Sequence, residues 1–191
     1  MSPRTKEQLE TIRKDRRQAI MDTALEEFAS YGYESTSISM IAKKAGVSKG
    51  LMYNYFESKE ALLKTIMSEG IDEIFAFIDP NHDGVITKEE FIYLIDEIFA
   101  LMKEKSSFYK LYFALIMQPA VSKLFIEKIN EVFAPMIKMF VDYYEKKGSK
   151  NPFAEAILIG ALFDGIGFNY LFNEDQYPLD EVIKLVKERF V

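Results

Sequence analysis

Apolar residues recur at helical spacing along most of this chain, and no convincing run alternates apolar and polar positions as a strand would. The first stretch, Lys6 to Tyr31, carries a stripe of Ile20, Ala24, Leu25 and Phe28 and stops at Gly32. Thr36 or Ser37 can cap a second, short helix that holds Ile38, Ile41 and Ala42. Gly46 breaks the chain, and a third short helix runs from Ser48 to near Phe56. Glu57 to Glu60 starts a longer helix that the pattern carries to about Ile78. After a polar loop from Asp79 to Thr87, further helices are predicted over Lys88 to Lys103, 106–117, about 120–146, about 153–173 and 179–190. The expectation is an all-α protein of about nine helices: a three-helix head at 1–65 on a helical bundle at 66–191.

Composition sharpens this picture in three places. Of 191 residues 49% are hydrophobic, with 16 Phe, 11 Tyr and 9 Met, which is enough apolar material for a buried core. Cysteine is absent, so disulfides, thiolate metal sites and a cysteine nucleophile are excluded. The polar start of the chain has no apolar core of a signal peptide, and Asp164 and Asn169 interrupt the apolar stretch from Ala156 to Phe172. The expectation is therefore a cytoplasmic protein with no membrane partner. Net charge is −6, but it is unevenly divided: residues 1–65 hold eleven Lys and Arg against nine Asp and Glu. An acidic body with a mildly basic end can still bring that end to phosphates.

The most informative segment runs from Thr36 to Phe56. Two short helices meet at Ala45-Gly46-Val47, where glycine accepts the positive φ of a tight inter-helix turn. On the second of them Met52 and Phe56 are four apart and can pack inward, while Gly50, Tyr53 and Asn54 share a neighbouring face. Lys49 lies in the first turn, where a recognition helix presents residues to base edges. Gly50 lets the backbone approach a groove closely.

From Ile20 through Leu63 the chain closely resembles the tetracycline-repressor (TetR) family. The match comprises Phe28-Ala-Ser-Tyr-Gly32, Thr36, Ile41-Ala42, Ala45-Gly46-Val47-Ser48, Lys49-Gly50, Tyr53, Tyr55-Phe56 and Ser58-Lys59-Glu60-Ala61-Leu62. The resemblance implies base contacts from Lys49 and Gly50, and phosphate contacts from Thr36, Ser48, Tyr53, Tyr55 and Lys59. Phosphate contacts fix register, and base contacts specify sequence. Tyr55 has an equal alternative as a core aromatic. Leu51 stands where this family often contacts a base; it could touch a thymine methyl but cannot read a hydrogen-bond pattern. The resemblance further implies double-stranded DNA with a palindromic operator as partner, a homodimer, and repression relieved by a small molecule.

Beyond Leu63 the resemblance thins to helix lengths and order. Phe108, Tyr109, Tyr112, Phe113 and Met117 line one helix, and Phe133, Met136, Met139, Phe140 and Tyr143 another. As a stripe at helical spacing these can be plain core. As a pocket they suit an apolar or aromatic ligand, with Phe108, Tyr112, Phe113, Met117 and Phe140 as the expected lining. Gly160, Gly165 and Gly167 sit among Leu, Ile and Phe in the penultimate helix, which points to close helix–helix approach. By resemblance the last two helices form the dimer interface, and two heads must in any case span half-sites about one DNA turn apart.

Asp79 to Glu90 fits the EF-hand pattern D-x-[DN]-x-[DN]-G-x5-E without a gap. Asp79, Asn81, Asp83, the Val85 carbonyl, Thr87 and Glu90 fall at ligand positions, and Gly84 at the sharp turn. No cofactor is required by the sequence, and calcium is the one candidate ion. A simpler reading treats Asp83-Gly84 as a turn and Thr87 to Glu90 as a capping box for the next helix. The sole histidine, His82, takes a non-ligand position and is expected to be solvated. A calcium-binding or calcium-responsive helical protein is thus the alternative to a DNA-binding regulator. No Ser/His/Asp order, His/Glu zinc pattern or phosphate-cradling glycine loop suggests an enzyme.

Overall fold

The first helix is fixed at its start by reciprocal hydrogen bonds: Gln8 N donates to Thr5 Oγ1 at 3.2 Å, and Thr5 N donates to Gln8 Oε1 at 3.1 Å. The computed structural model describes residues 5–191, and the side chains of these except at positions 75, 125, 127–129 and 132. Among them lie nine helices: α1 (Lys6–Tyr31), α2 (Ile38–Lys44), α3 (Lys49–Tyr55), α4 (Lys59–Phe75), α5 (Lys88–Glu104), α6 (Ser106–Ile116), α7 (Pro119–Lys146), α8 (Pro152–Phe172) and α9 (Leu179–Phe190). No strand occurs among the described residues. The fourth helix ends at Phe75, short of the Ile78 that periodicity suggests; Ile78 is buried within the following turn.

The chain divides into two compact units. One takes in residues up to Gly70 together with Ala114–Ser122; the other comprises Ile71–Phe113 and Lys123–Val191. A continuous division at residue 65 is therefore too simple, because the turn between α6 and α7 folds with the head. Periodicity registers a helix's buried face but not which neighbour buries it, so this reassignment leaves no mark in the pattern.

In the first unit Ile20, Leu25, Phe28, Ile41, Met52, Leu62 and Leu63 form a fully buried core. Met52 and Phe56 both turn inward, as their spacing predicts. In the second unit Phe91 is completely buried. It packs edge-to-face against Phe140 and Tyr143 at centroid distances of 5.1 and 5.2 Å. The C-terminus is tied down as Tyr143 and Tyr144 donate to the carbonyls of Val191 and Phe190, each at 3.2 Å.

Helix α8 is the most apolar of the long helices, interrupted by Glu155, Asp164 and Asn169. Phe153, Ile157, Leu158, Phe168 and Phe172 remain exposed on it. Its length and a mean hydropathy of 1.3 match those of a membrane-crossing helix, and a third of it is buried. Of its glycines only Gly167 meets a close neighbour: a Cβ there would lie 2.8 Å from Met102 Cε. Gly160 and Gly165 have nothing within 4 Å of that position. The close approach expected of all three is thus met within the chain by one.

Candidate nucleic-acid interface

The turn between α2 and α3 closes in the manner that a glycine allows. Val47 N donates to the Ala42 carbonyl at 2.9 Å across Gly46, whose φ of 66° is the left-handed conformation that other residues resist. Ser48 then caps α3, its Oγ accepting from Leu51 N at 3.1 Å. With Met52 and Phe56 committed to the core, the opposite side of α3 faces solvent. Lys49, Gly50, Tyr53 and Asn54 are all exposed there. A Cβ at Gly50 would meet only Ser48 Oγ, at 4.0 Å, so packing within the chain does not demand glycine. Its smallness is free to serve something that approaches from outside.

Other expected contacts are placed differently. Thr36 is 1% exposed, and its hydroxyl lies 2.9 Å from the Gly32 carbonyl and 3.2 Å from that of Glu27. The threonine staples the end of α1 to the start of α2, and its hydroxyl is turned toward the chain's own carbonyls. Lys59 Nζ donates to the carbonyls of Tyr33 at 2.8 Å, Thr36 at 3.0 Å and Glu34 at 3.3 Å, and stands 4.4 Å from the centroid of the Tyr33 ring. All three ammonium protons are engaged in holding the loop before α2. Tyr55 is half-buried with Arg13 over its ring at 5.9 Å, which joins the core-aromatic reading to a partly open edge.

Two features escaped the sequence reading. Arg13, Lys14 and Arg16 line an exposed stretch of α1, with Arg17 over the Phe56 ring and paired to Glu69 at 2.6 Å. This charge run carries no motif of its own. Gln118, from the α6–α7 turn, donates through Nε2 to the Phe28 carbonyl and accepts through Oε1 from Tyr33 N, both at 2.8 Å. A lone glutamine 85 residues away in the chain gives no local signal. At the far side Lys44 pairs with Glu27 at 2.9 Å and Glu26 at 3.0 Å. The hydrogen bonds to Glu27, then Glu26, hold its ammonium pKa above the ordinary lysine value.

Residues 20–66 match the bacterial regulatory proteins, tetR family. The chain carries a TetR-family N-terminal domain. Over 65 residues it is 46% identical to the transcriptional regulator YuxN of Bacillus subtilis, covering 34% of this chain and 22% of that protein. Over 84 residues it is 32% identical to the fatty acid metabolism regulator protein of the same organism, covering 44% and 43%. The matched stretches thus span less than half of these relatives' lengths. Among solved structures, the regulator FadR from Bacillus subtilis in complex with stearoyl-CoA superposes with a TM-score of 0.67 at 23% identity, covering 91% of this chain and 97% of that one. The fatty acid degradation regulator FadR from Bacillus halodurans gives 0.65 at 23%, covering 92% and 94%. At such identities the likeness is one of fold.

The second unit contains a cavity of about 360 Å³. Tyr112, Phe113 and Phe140 line it, together with Tyr109, Phe133 and Met136. Two expected lining residues do not. Phe108 stacks on Tyr112 at 5.8 Å, outside the cavity, and Met117 is 73% exposed in the α6–α7 turn that folds with the head. Both share the stripe's spacing, but a helix of this length presents its ends to different surroundings.

Residues 70–98 also match the EF hand domain. Within the loop, Asp79 accepts from Asp83 N at 3.1 Å and Gly84 N at 3.0 Å. Asn81 Nδ2 donates to Asp83 at 3.1 Å and Glu90 at 3.0 Å. The other Glu90 oxygen accepts from the backbone and hydroxyl of Thr87, both at 2.8 Å, completing a capping box on α5. Val85 is exposed and donates to Asp83 at 2.8 Å. Among the described residues no group of three or more acidic, His or Cys side chains stands ready to hold a metal. The residues fit a capped turn as they stand, and a cation would have to displace the Asn81 amide from between Asp83 and Glu90. His82 is exposed.

Proposed function

We propose that this protein is a cytoplasmic, homodimeric transcriptional regulator that a small molecule releases from a palindromic operator, acting by binding rather than catalysis. The observation that carries the reading is the free face of α3. Lys49, Gly50 and Tyr53 stand together in solvent on a helix whose other side is locked into the head. Lys49 and Gly50 take the base-reading role, and Ser48 and Tyr53 the phosphate role, with Arg13, Lys14 and Arg16 adding charge nearby. The apolar cavity in the body supports a ligand, and the stearoyl-CoA held by a structural neighbour gives a precedent for an apolar one. The apolar face of α8, with its open glycines, supports a second copy of this chain as its cover.

A gel shift against the DNA upstream of the protein's own gene tests the core of this reading. Lys49→Ala should lower affinity for the preferred site by about 1–3 kcal/mol while leaving non-specific binding nearly unchanged. Equal discrimination by variant and parent would remove Lys49 from base reading. Absence of any sequence-specific shift by the parent would remove the regulator.

The EF-hand match gives the loop at 79–90 a second reading as a weak cation site with Asp79, Asn81, Asp83, the Val85 carbonyl, Thr87 and Glu90 as ligands. The two readings of Glu90 separate in a melting experiment. Glu90→Ala should lose the capping box, at a cost of about 1 kcal/mol, with or without calcium. If the loop also binds the ion, millimolar calcium should raise the melting temperature of the parent and leave that of the variant unmoved. An unmoved parent leaves the cap alone.

A further inference from the structure

The cavity of the second unit and the exposed side of α8 have three residues in common. Phe153, Ile157, Ala161, Asp164, Phe168 and Phe172 recur at every third or fourth position, so they form one stripe along the helix. All six are exposed. The middle three, Ile157, Ala161 and Asp164, also line the cavity, whose other described lining residues are buried or half-buried. The cavity therefore opens through the centre of the stripe. Phe153 flanks the opening on one side, and the stacked rings of Phe168 and Phe172 flank it on the other. Whatever covers the stripe covers the opening. Until it is covered, an apolar molecule in the cavity keeps part of its surface in water, which weakens its hold.

We propose that a second copy of this chain supplies the wall that the cavity lacks, so that the ligand site is complete only in the dimer. The area of the face fits this occupant. Phe153, Ile157, Leu158, Phe168 and Phe172 present on the order of 500 Å² between them. Exposed Ala154, Ala161 and Gly165 add to that area, and a standard stable interface buries about 800 Å² per partner. In a twofold pair the same patch meets itself, so each copy closes the opening of the other. Asp164 does not oppose such a cover, because the cavity of about 360 Å³ beside it leaves room for water at its carboxylate. The inference rests on the homodimer and ligand-sensing reading above and adds a linkage to it. Ligand and second copy each bind more tightly when the other is present.

The uncharged apolar fluorophore N-phenyl-1-naphthylamine serves as the probe, with the full chain. Phe172→Glu is the dimer-breaking variant: Phe172 is 84% exposed, does not line the cavity and stands about two turns beyond Asp164. Sedimentation should show a folded monomer, and its affinity for the probe should lie about tenfold or more below that of the parent dimer. By reciprocity, saturating probe should tighten the parent's dimer by the same factor. Ala161→Cys gives a second readout, because the chain has no cysteine of its own. Its modification by a maleimide should slow as the protein concentration is raised through the dimer transition. A monomer that binds the probe as tightly as the parent overturns the proposal, as does a thiol that reacts equally fast at every concentration. A parent that takes up no probe, or a Phe172→Glu variant that stays dimeric, overturns it too. A parent that is monomeric at every concentration removes the homodimer reading along with it. The operator gel shift, which needs no ligand, decides the DNA-reading function separately.

Discussion

Gly165→Glu is expected to leave the chain folded and to abolish its dimer. A Cβ at this position meets nothing within 4 Å, so the substitution disturbs no contact inside the chain. Removing a glycine from a helix interior should even favour α8 by a few tenths to about 1 kcal/mol. Against a second copy the result reverses. A carboxylate pressed into an apolar face without a partner costs several kcal/mol, which corresponds to about a hundredfold or more in dimer dissociation constant. Sedimentation equilibrium at micromolar concentration would show the parent as a dimer and the variant as a folded monomer. A dimeric variant would place the interface off this face of α8, and recovery of the parent with lipid vesicles would assign the face to a membrane. Gly167→Ala is the internal control. Its new methyl would crowd the end of Met102, a flexible side chain, so its effect should fall on folding stability and stay small.

Lys59→Met should lower the stability of the chain by about 2 kcal/mol, which for a chain of this size is roughly 4–8 °C in melting temperature. Methionine keeps the length of the apolar stem but leaves the carbonyls of Tyr33, Glu34 and Thr36 without their donor. Charge-assisted hydrogen bonds are the stronger kind, and the figure is kept low because the site is half open to water. DNA binding should weaken too, since the same lysine holds the loop that leads into α2. The salt dependence of binding discriminates between roles. Loss of a phosphate contact would flatten the slope of log affinity against log salt by about one, whereas loss of a loop support leaves the slope unchanged. An unchanged melting temperature with a flattened slope would restore Lys59 to the phosphate side of the interface.

These two positions also show how far the sequence could be read. Helical spacing located the helices to within a few residues, because the stripe of Ile20, Ala24, Leu25 and Phe28 repeats on one face and Gly32 ends it. Fixed spacing around Gly46 located the head, because a turn between two short helices has few solutions. What spacing could not separate was a polar side chain that faces water from one that turns back. Thr36 and Lys59 occupy positions expected to meet phosphate, yet both donate to the chain's own carbonyls. The choice between these fates depends on where unpaired carbonyls lie in space, which no local pattern records. The cavity was legible as an aromatic stripe at Tyr112, Phe113 and Phe140, while Asp164 appeared only as an interruption in an apolar run. Its meaning depends on which helices surround it. The loop at 79–90 supported two readings for the same reason: Thr87 and Glu90 satisfy a capping box and an ion-binding pattern with identical residues.

The clamp made by Gln118 bears on how such a protein could be rebuilt. The Phe28 carbonyl and the Tyr33 amide at the end of α1 are completed by one side chain that arrives from between α6 and α7. A graft that joined residues 1–65 to a foreign body would leave the Tyr33 amide without its acceptor, while the Phe28 carbonyl would keep only the Gly32 N–H at 3.0 Å. The unit of exchange for this head is therefore discontinuous, two pieces of chain that must travel together. Recombination at residue 65 would yield a head with its α3 face intact and a loosened junction between α1 and α2.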